Sequence, residues 1–243
     1  MSLLQTENLS RRFGGVSAVD GVSLSVTAGE RRALIGPNGA GKTTLFNLLT
    51  GEIRPGGGRI VFDGTEITAL PPYRRASLGI ARTFQRNNLF LGLTVWENVR
   101  LAAHPVKGAG WRCFGPVDAG ASELVQRSLA YAGLLERQAV PARSLSYGEQ
   151  RQLELAIALA TQPRLLLLDE PAAGMSPAET EALMRLLRAM PREITLLIVE
   201  HDMDLVFALA ERITVLQAGR VIADGTRSDV KHNAAVMEAY LGT

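Results

Sequence analysis

Cysteine is almost absent from this chain. Cys113 is the only one in 243 residues, so no disulfide can form within it, and a reduced compartment suits that composition. An excess of either charge is also missing. The 26 basic and 24 acidic residues leave a net charge of +2, too balanced to argue for nucleic-acid binding. The pairs Arg31-Arg32 and Arg74-Arg75 therefore read as solvated surface. No window approaches the roughly 20 apolar residues that span a bilayer. The richest stretch, LLLLL after Arg164, is short and reads as a buried strand. The N-terminus, MSLLQTENLSRRFGG, lacks the long apolar core of a signal peptide. The expectation is a chain soluble in itself, with any membrane role exercised through a partner. No low-complexity segment or internal repeat is evident.

What is present is the composition of a packed globule: 47% hydrophobic and 21% charged residues. The length suits one large domain, or a core with a small inserted lobe. The opening alternates, with Leu24 and Val26 apolar against Ser23, Ser25 and Thr27, then turns at Ala28-Gly29 into a new strand, RRALI. GRIVFDGTEI reads as two short strands around Asp63-Gly64, a hairpin signal. Further on, RLLLLLDE and ITLLIVEH alternate with the helical stretches AETEALMRLLRAM and DMDLVFALAER. Continuous apolar strands alternating with helices predict an α/β fold whose parallel sheet is covered on both faces. Residues 1–88 and 147–243 are read as this core with its antiparallel part, and about 89–146 as an inserted helical lobe. Within the lobe, VWENVRLAA and ASELVQRSLAYAGLL flank a Gly-rich loop over residues 104–121. Trp111 and Phe114 in that loop pack it down or touch a partner.

The chemistry centres on GPNGAGKT, Gly36, Pro37, Asn38, Gly39, Ala40, Gly41, Lys42 and Thr43. It matches G-x-x-x-x-G-K-[ST] between a strand, RRALI, and a helix, TLFNLLT, the context this phosphate loop requires. The bare pattern arises by chance in on the order of one chain in a hundred of this length, and far less often in that context. Glycines let the backbone wrap phosphates closely. Successive N–H groups and a helix N-terminus face the negative charge. Lys42 adds a point charge at the β/γ-phosphates, and the Thr43 hydroxyl suits Mg²⁺. At the end of a buried strand, LLLLDE supplies Asp169, expected to hold Mg²⁺ through water, and Glu170, placed to polarise an attacking water. His201 ends ITLLIVEH, where open α/β sheets put ligand groups, and suits donation to the γ-phosphate. Gln85 follows GIARTF and by itself would mean nothing.

SLSYGEQRQ, residues 144–152, has two readings. Ser146 and Glu149 form a capping-box pattern ahead of LELAIALA. Alternatively Ser146, Gly148 and the helix N-terminus bind an anion.

Together these segments resemble the ATP-binding-cassette (ABC) family. GPNGAGKTT, which includes Thr44, looks like its Walker A motif. Gln85 matches the Q-loop, LSYGEQ the signature, LLLLDEP the Walker B motif with its catalytic acid, and His201 the switch histidine. The order and spacing agree over essentially the whole chain. The resemblance implies a P-loop ATPase core with antiparallel and helical subdomains, binding ATP and Mg²⁺. Catalysis falls to Glu170, His201 and Lys42, and the metal to Thr43, Gln85 and Asp169. Phe13 in RRFGG falls where the family places an aromatic that stacks on adenine. Ser146, Gly148 and Glu149 would serve ATP held by a second subunit, same or related, in a head-to-tail dimer. Two departures stand out. Tyr147 replaces a usual glycine, and Ser176 in AAGMSP replaces a usual acid; Ser176-Pro177-Ala178-Glu179 reads equally as a helix cap.

A narrower likeness joins FGGVSAVDGVSL, ARTFQ, LSYGEQRQLELA, DEPAAGMSP, VEHDM and AYLGT to the ATPase subunits of branched-chain amino acid importers. It implies work in pairs on the cytoplasmic face of the inner membrane, beneath hydrophobic permease subunits, with an extracytoplasmic binding protein as an indirect partner. Relatives for urea, short amides or aromatic acids look much alike. The runner-up is the ATPase of a lipopolysaccharide exporter; ARTFQ and VEHDM favour the importer. A DNA-repair or translation ABC ATPase would bring a long coiled coil or a second cassette, and the chain shows neither. A nucleotide switch without turnover would not need Glu170.

Overall fold

The computed structural model describes residues 2–83, 89–103 and 119–241. These form two compact units. The first contains residues 1–80, 164–170 and 192–243, and the second residues 81–163 and 171–191.

The first unit opens with two long strands, β1 (Ser2–Phe13) and β2 (Val16–Thr27), paired antiparallel. β3 (Arg31–Ile35) and helix α1 (Lys42–Thr50) follow. Then come β4 (Gly57–Phe62) and β5 (Thr65–Glu66), joined at Asp63 and Gly64 with φ of 49° and 75°. Positive φ at both central positions is the primed turn that the Asp-Gly pair signals. These strands make a sheet of order β2-β1-β4-β5. After α2 (Pro72–Ser77), β6 (Ile80–Arg82) begins the edge of a second sheet. β7 (Leu165–Asp169), β8 (Thr195–Val199), β9 (Arg212–Gln217) and β10 (Arg220–Gly225) complete it, in the order β10-β9-β3-β8-β7-β6.

β3, β7, β8 and β9 run parallel, as the continuous apolar runs of β7 and β8 predict. Successive side chains of β3 serve opposite faces. Leu34 joins a core with Leu45, Phe46, Leu49, Leu167 and Leu197, while Ala33 and Ile35 join another with Val206, Val215 and Val230. Burying one such side chain fully contributes about 1.5–3 kcal/mol.

The expectation that Arg31-Arg32 is solvated surface is overturned. Both are buried, because β3 is an inner strand of the sheet. Arg32 Nε donates to Glu30 Oε1 at 2.7 Å, one terminal nitrogen to Thr214 and Asp224, and the other to the Ser25 carbonyl at 3.0 Å. Arg74 is exposed, but Arg75 is fully buried. Its guanidinium donates to the carbonyls of Leu48 and Leu49 in the last turn of α1, at 2.6 and 2.8 Å. It also reaches Leu70 O at 2.9 Å and Thr68 O at 3.0 Å. A cation at a helix C-terminus satisfies orphan carbonyls and opposes the macrodipole. Burial pushes its pKa down to about 10, which leaves it charged at neutral pH.

The second unit contains α3 (Val95–Ala102), α4 (Ala119–Tyr131), α5 (Tyr147–Ala160) and α6 (Pro177–Ala189). Val95, Val99, Val125, Leu129, Leu153 and Ala156 share one core there. The unit extends past the 89–146 lobe expected from sequence, because the apolar face of α5 closes on α3 and α4. Short helices α7 (Met203–Leu209), α8 (Arg227–Lys231) and α9 (Ala234–Leu241) return to the first unit.

Candidate nucleotide site

The carboxyl ends of three neighbouring strands build the centre of the site. Leu34 of β3 and Asp169 of β7 both pair with Val199 of β8, so the three residues lie in one row. The next residues leave the sheet together: Ile35 and Gly36, Glu170, and Glu200 with His201. Ligand groups gather at such strand ends in open α/β sheets.

Gly36 has φ of 148°, and a Cβ there would stand 2.1 Å from the Leu216 carbonyl oxygen. Gly41, with φ of 103°, would bring its Cβ 2.2 Å from Ala18 O. Both positions require glycine on steric and conformational grounds. Pro37, Asn38, Gly39 and Ala40 form the turn between them, with Ala40 N–H donating to Pro37 O at 3.1 Å. No side chain caps α1 and no acid stands in its first turn. Its N-terminal N–H groups, with Thr43 exposed and Thr44 half-buried, thus form an anion-binding end.

Lys42 is buried, and its Nζ donates to Gly36 O at 2.6 Å and Pro37 O at 3.1 Å. Burial holds its pKa below the ordinary lysine value, opposed by the charges of Glu170 and then Asp169. Asp169 is buried at the end of β7. Glu170 turns away from the strand in the left-handed region, φ 47°, with its N–H on Val199 O at 2.9 Å. A non-glycine residue rarely adopts that conformation, and such outliers concentrate at functional sites. The left-handed residue just past the strand end breaks the strict alternation that β7 side chains would otherwise follow.

His201 exposes 68% of its side chain. The buried Glu200 accepts its backbone N–H at 3.1 Å and stands 3.8 Å from the imidazole Nδ1. Phe13 is 44% exposed at the tip of the β1–β2 hairpin, with the Arg11 guanidinium 5.0 Å from its ring centre. The hairpin is fixed beside the phosphate loop where Ala18 packs on Gly41, and by Asp20 N–H on Gly219 O at 2.9 Å.

The signature residues lie in the second unit. Ser146 caps α5, accepting Glu149 N–H at 3.2 Å, while the Glu149 carboxylate accepts Ser146 N–H at 2.8 Å. The capping box read from sequence is present in both halves. Glu149 also pairs with Arg137 at 3.1 Å. Ser176 caps α6 in the same manner with Glu179, Pro177 being its first residue. The Gly148 N–H donates to Glu179 Oε1 at 3.0 Å.

Comparison with known proteins decides the family. The sequence profile described as "ABC transporter" matches residues 19–173, more than half the chain. The chain belongs to the ABC transporter family. A second profile, "Branched-chain amino acid ATP-binding cassette transporter", matches residues 220–243. The chain is 41% identical to the high-affinity branched-chain amino acid transport ATP-binding protein BraF of Pseudomonas aeruginosa, over 99% of this chain and 98% of BraF. Among solved structures, the ADP conformation of the ATP-binding cassette MJ1267 matches with a TM-score of 0.89 and 32% identity, covering all of both chains. The cassette MJ0796, a dimer bound to ADP and Pi after hydrolysis, matches at 0.77 and 27%, covering 92% of this chain and 98% of the other.

This ABC ATPase thus collects Lys42, Thr43, Asp169, Glu170 and His201 in its first unit, and Ser146, Gly148 and Glu149 in its second. Gln85, Trp111 and Phe114 lie outside the described residues. Sequence reasoning missed Glu200, the contact of Glu179 with Gly148, and the Ala218-Gly219 turn. Ala218 and Gly219 have φ of 48° and 79°. The glycine of that pair was the available signal. Among the described residues, no helix is long and apolar enough to cross a membrane.

Proposed function

We propose that this ABC ATPase powers uptake of branched-chain or closely related amino acids through hydrophobic permease subunits. The observation that carries the reading is its likeness to BraF, a branched-chain amino acid transport ATP-binding protein, over nearly the full length of both chains. The match of residues 220–243 to the branched-chain cassette profile favours it over the exporter alternative. In this reading the chain sits on the cytoplasmic face of the membrane, held there by the permeases, and an extracytoplasmic binding protein delivers the substrate.

Two cassettes, this chain with itself or with a related one, close head to tail on ATP. Phe13 stacks on adenine, and the N–H groups of the Gly36–Thr44 loop hold the phosphates. Lys42 gives up its two carbonyl contacts for the β/γ-phosphates. Glu170 accepts a proton from the attacking water, and His201 donates to the γ-phosphate. Ser146 and Gly148 reach the γ-phosphate of the neighbour's ATP, and Glu149 holds Ser146 in place. The Thr43 hydroxyl and the Asp169 carboxylate are hard oxygen donors that suit Mg²⁺, with Gln85 the third expected ligand. When bound, Mg²⁺ neutralises charge that develops on the phosphate oxygens.

The test is uptake in cells. Deletion of this gene is expected to abolish high-affinity uptake of radiolabelled leucine, isoleucine or valine, and restored expression to return it. Unchanged uptake of all three overturns the substrate reading.

A further inference from the structure

Glu179 stands where a guest anion is expected. Its carboxylate is shared between two helix N-termini. Oε2 serves its own helix, accepting the Ser176 N–H at 2.9 Å and the Ser176 hydroxyl at 2.8 Å. Oε1 turns to α5, where it accepts the Gly148 N–H at 3.0 Å and lies 3.5 Å from the Ser146 hydroxyl. A Cβ on Gly148 would approach Oε1 to 2.5 Å, so glycine is what allows the contact. Hydrogen bonds from Ser176, Gly148 and Ser146 hold the carboxyl below the usual carboxylate range. All these residues belong to the second unit.

The donors that Glu179 engages are the pair assigned above to the neighbour's γ-phosphate. We infer that Glu179 is an internal stand-in for that phosphate, which must leave the signature helix before ATP can join two subunits. The inference rests on the trans-phosphate reading of Ser146 and Gly148. One N–H cannot serve two anions well, and two like charges at one helix end repel. The free subunit therefore keeps its signature helix satisfied without a partner. Weak dimerisation in the absence of bound ATP follows, and so does a closing step that competes with an intramolecular contact. Released from α5, Glu179 keeps its bond to Ser176, so α6 retains its cap.

The experiment compares full-length chains in a Glu170→Gln background, where hydrolysis is expected to fall by on the order of 10²–10⁴-fold and the ATP dimer to persist. Glu179→Gln keeps the size and capping ability of the side chain while removing its charge. Sedimentation velocity with Mg-ATP is expected to show a dimer tightened by about three- to tenfold, with monomer ATP affinity unchanged. Glu179→Ala, which removes the carboxylate outright, is expected to move the dimer constant the same way despite losing the cap. Ser146→Ala is the control, expected to weaken the dimer. Should Ser146→Ala weaken it while neither Glu179 variant tightens it, the stand-in role is overturned and the trans-phosphate reading survives. Should Ser146→Ala dimerise like its parent, the trans-phosphate reading fails and the inference falls with it.

Discussion

The Tyr147 hydroxyl donates to the carbonyl of Ala173 at 3.0 Å, joining the first residue of α5 to the segment that leads into α6. Arg151, one turn along α5, lies over the Tyr147 ring and donates to its oxygen at 2.9 Å. The same arginine holds the buried Glu154 at 2.8 Å. The residue that departs from the family glycine thus carries a clasp of its own. Tyr147→Phe is expected to lose two hydrogen bonds at a half-exposed site, about 1 kcal/mol in chemical denaturation. Its ATP affinity as a monomer is expected to stay at the parent value.

The phosphate-loop glycines are not equivalent. Gly41→Ala places a methyl against the Ala18 carbonyl with φ at 103°, whereas Gly39, at φ 80°, has nothing within 4 Å of the added carbon. Gly39→Ala is expected to cost about 1–2 kcal/mol, the left-handed penalty alone. Gly41→Ala is expected to cost about 4 kcal/mol or more, with loss of nucleotide binding. Denaturant midpoints and binding of a fluorescent ATP analogue separate the two.

Lys42 gives two opposite pH trends. Its folded pKa lies below the unfolded one, so the unfolded chain holds the proton more tightly. The penalty of burying the charge is present at neutral pH and is relieved as pH rises through the folded pKa toward the unfolded value near 10.5. Phosphate binding needs the charged form. ATP affinity is therefore expected to fall over the same alkaline interval in which this group's contribution to stability rises. Lys42→Ala is expected to lose roughly 10- to 100-fold in affinity, as for a charge-assisted contact, and to flatten the alkaline fall. Calorimetric ATP titrations at several pH values check both.

Arg75 is expected to matter as much as an apolar core residue. Arg75→Met leaves four carbonyl acceptors short of a donor, among them Leu48 and Leu49 at the end of α1. The expected loss is about 3 kcal/mol or more, read from urea unfolding. Arg74→Met, at the exposed neighbour, is expected to change stability by less than about 0.5 kcal/mol.

The contrast between those two arginines shows what the sequence discloses. Local signals were legible: Gly51 ends α1 with φ of 82°, Ser146 and Ser176 cap their helices, and the Asp63-Gly64 turn is where its residue types put it. The phosphate loop, both strand-end acids and His201 were legible because each sits at a fixed offset from an apolar strand. Arg32 and Arg75 were not, because several of the partners that bury them are distant in sequence. Asp224 lies 192 residues from Arg32, and Leu48 lies 27 from Arg75. Glu179 was legible as the cap of α6 but not as an acceptor for Gly148, 31 residues away. Composition weighs a charge as polar wherever it sits; only the fold supplies the acceptors that let it be buried.

The row formed by Leu34, Val199 and Asp169 has a consequence for how this chain can drift. Main-chain pairing places the strand ends, and the chemistry is attached just beyond them. Leucine, isoleucine and valine can exchange within β3, β7 and β8 at modest cost, provided total volume is kept. The reacting groups then stay in place while the strands beneath them change identity. A one-residue insertion inside β8 is a different matter: it would advance Glu200 and His201 past their neighbours and reverse which face each strand residue serves. Relatives of this chain should accordingly accumulate substitutions in these strands freely and indels almost never.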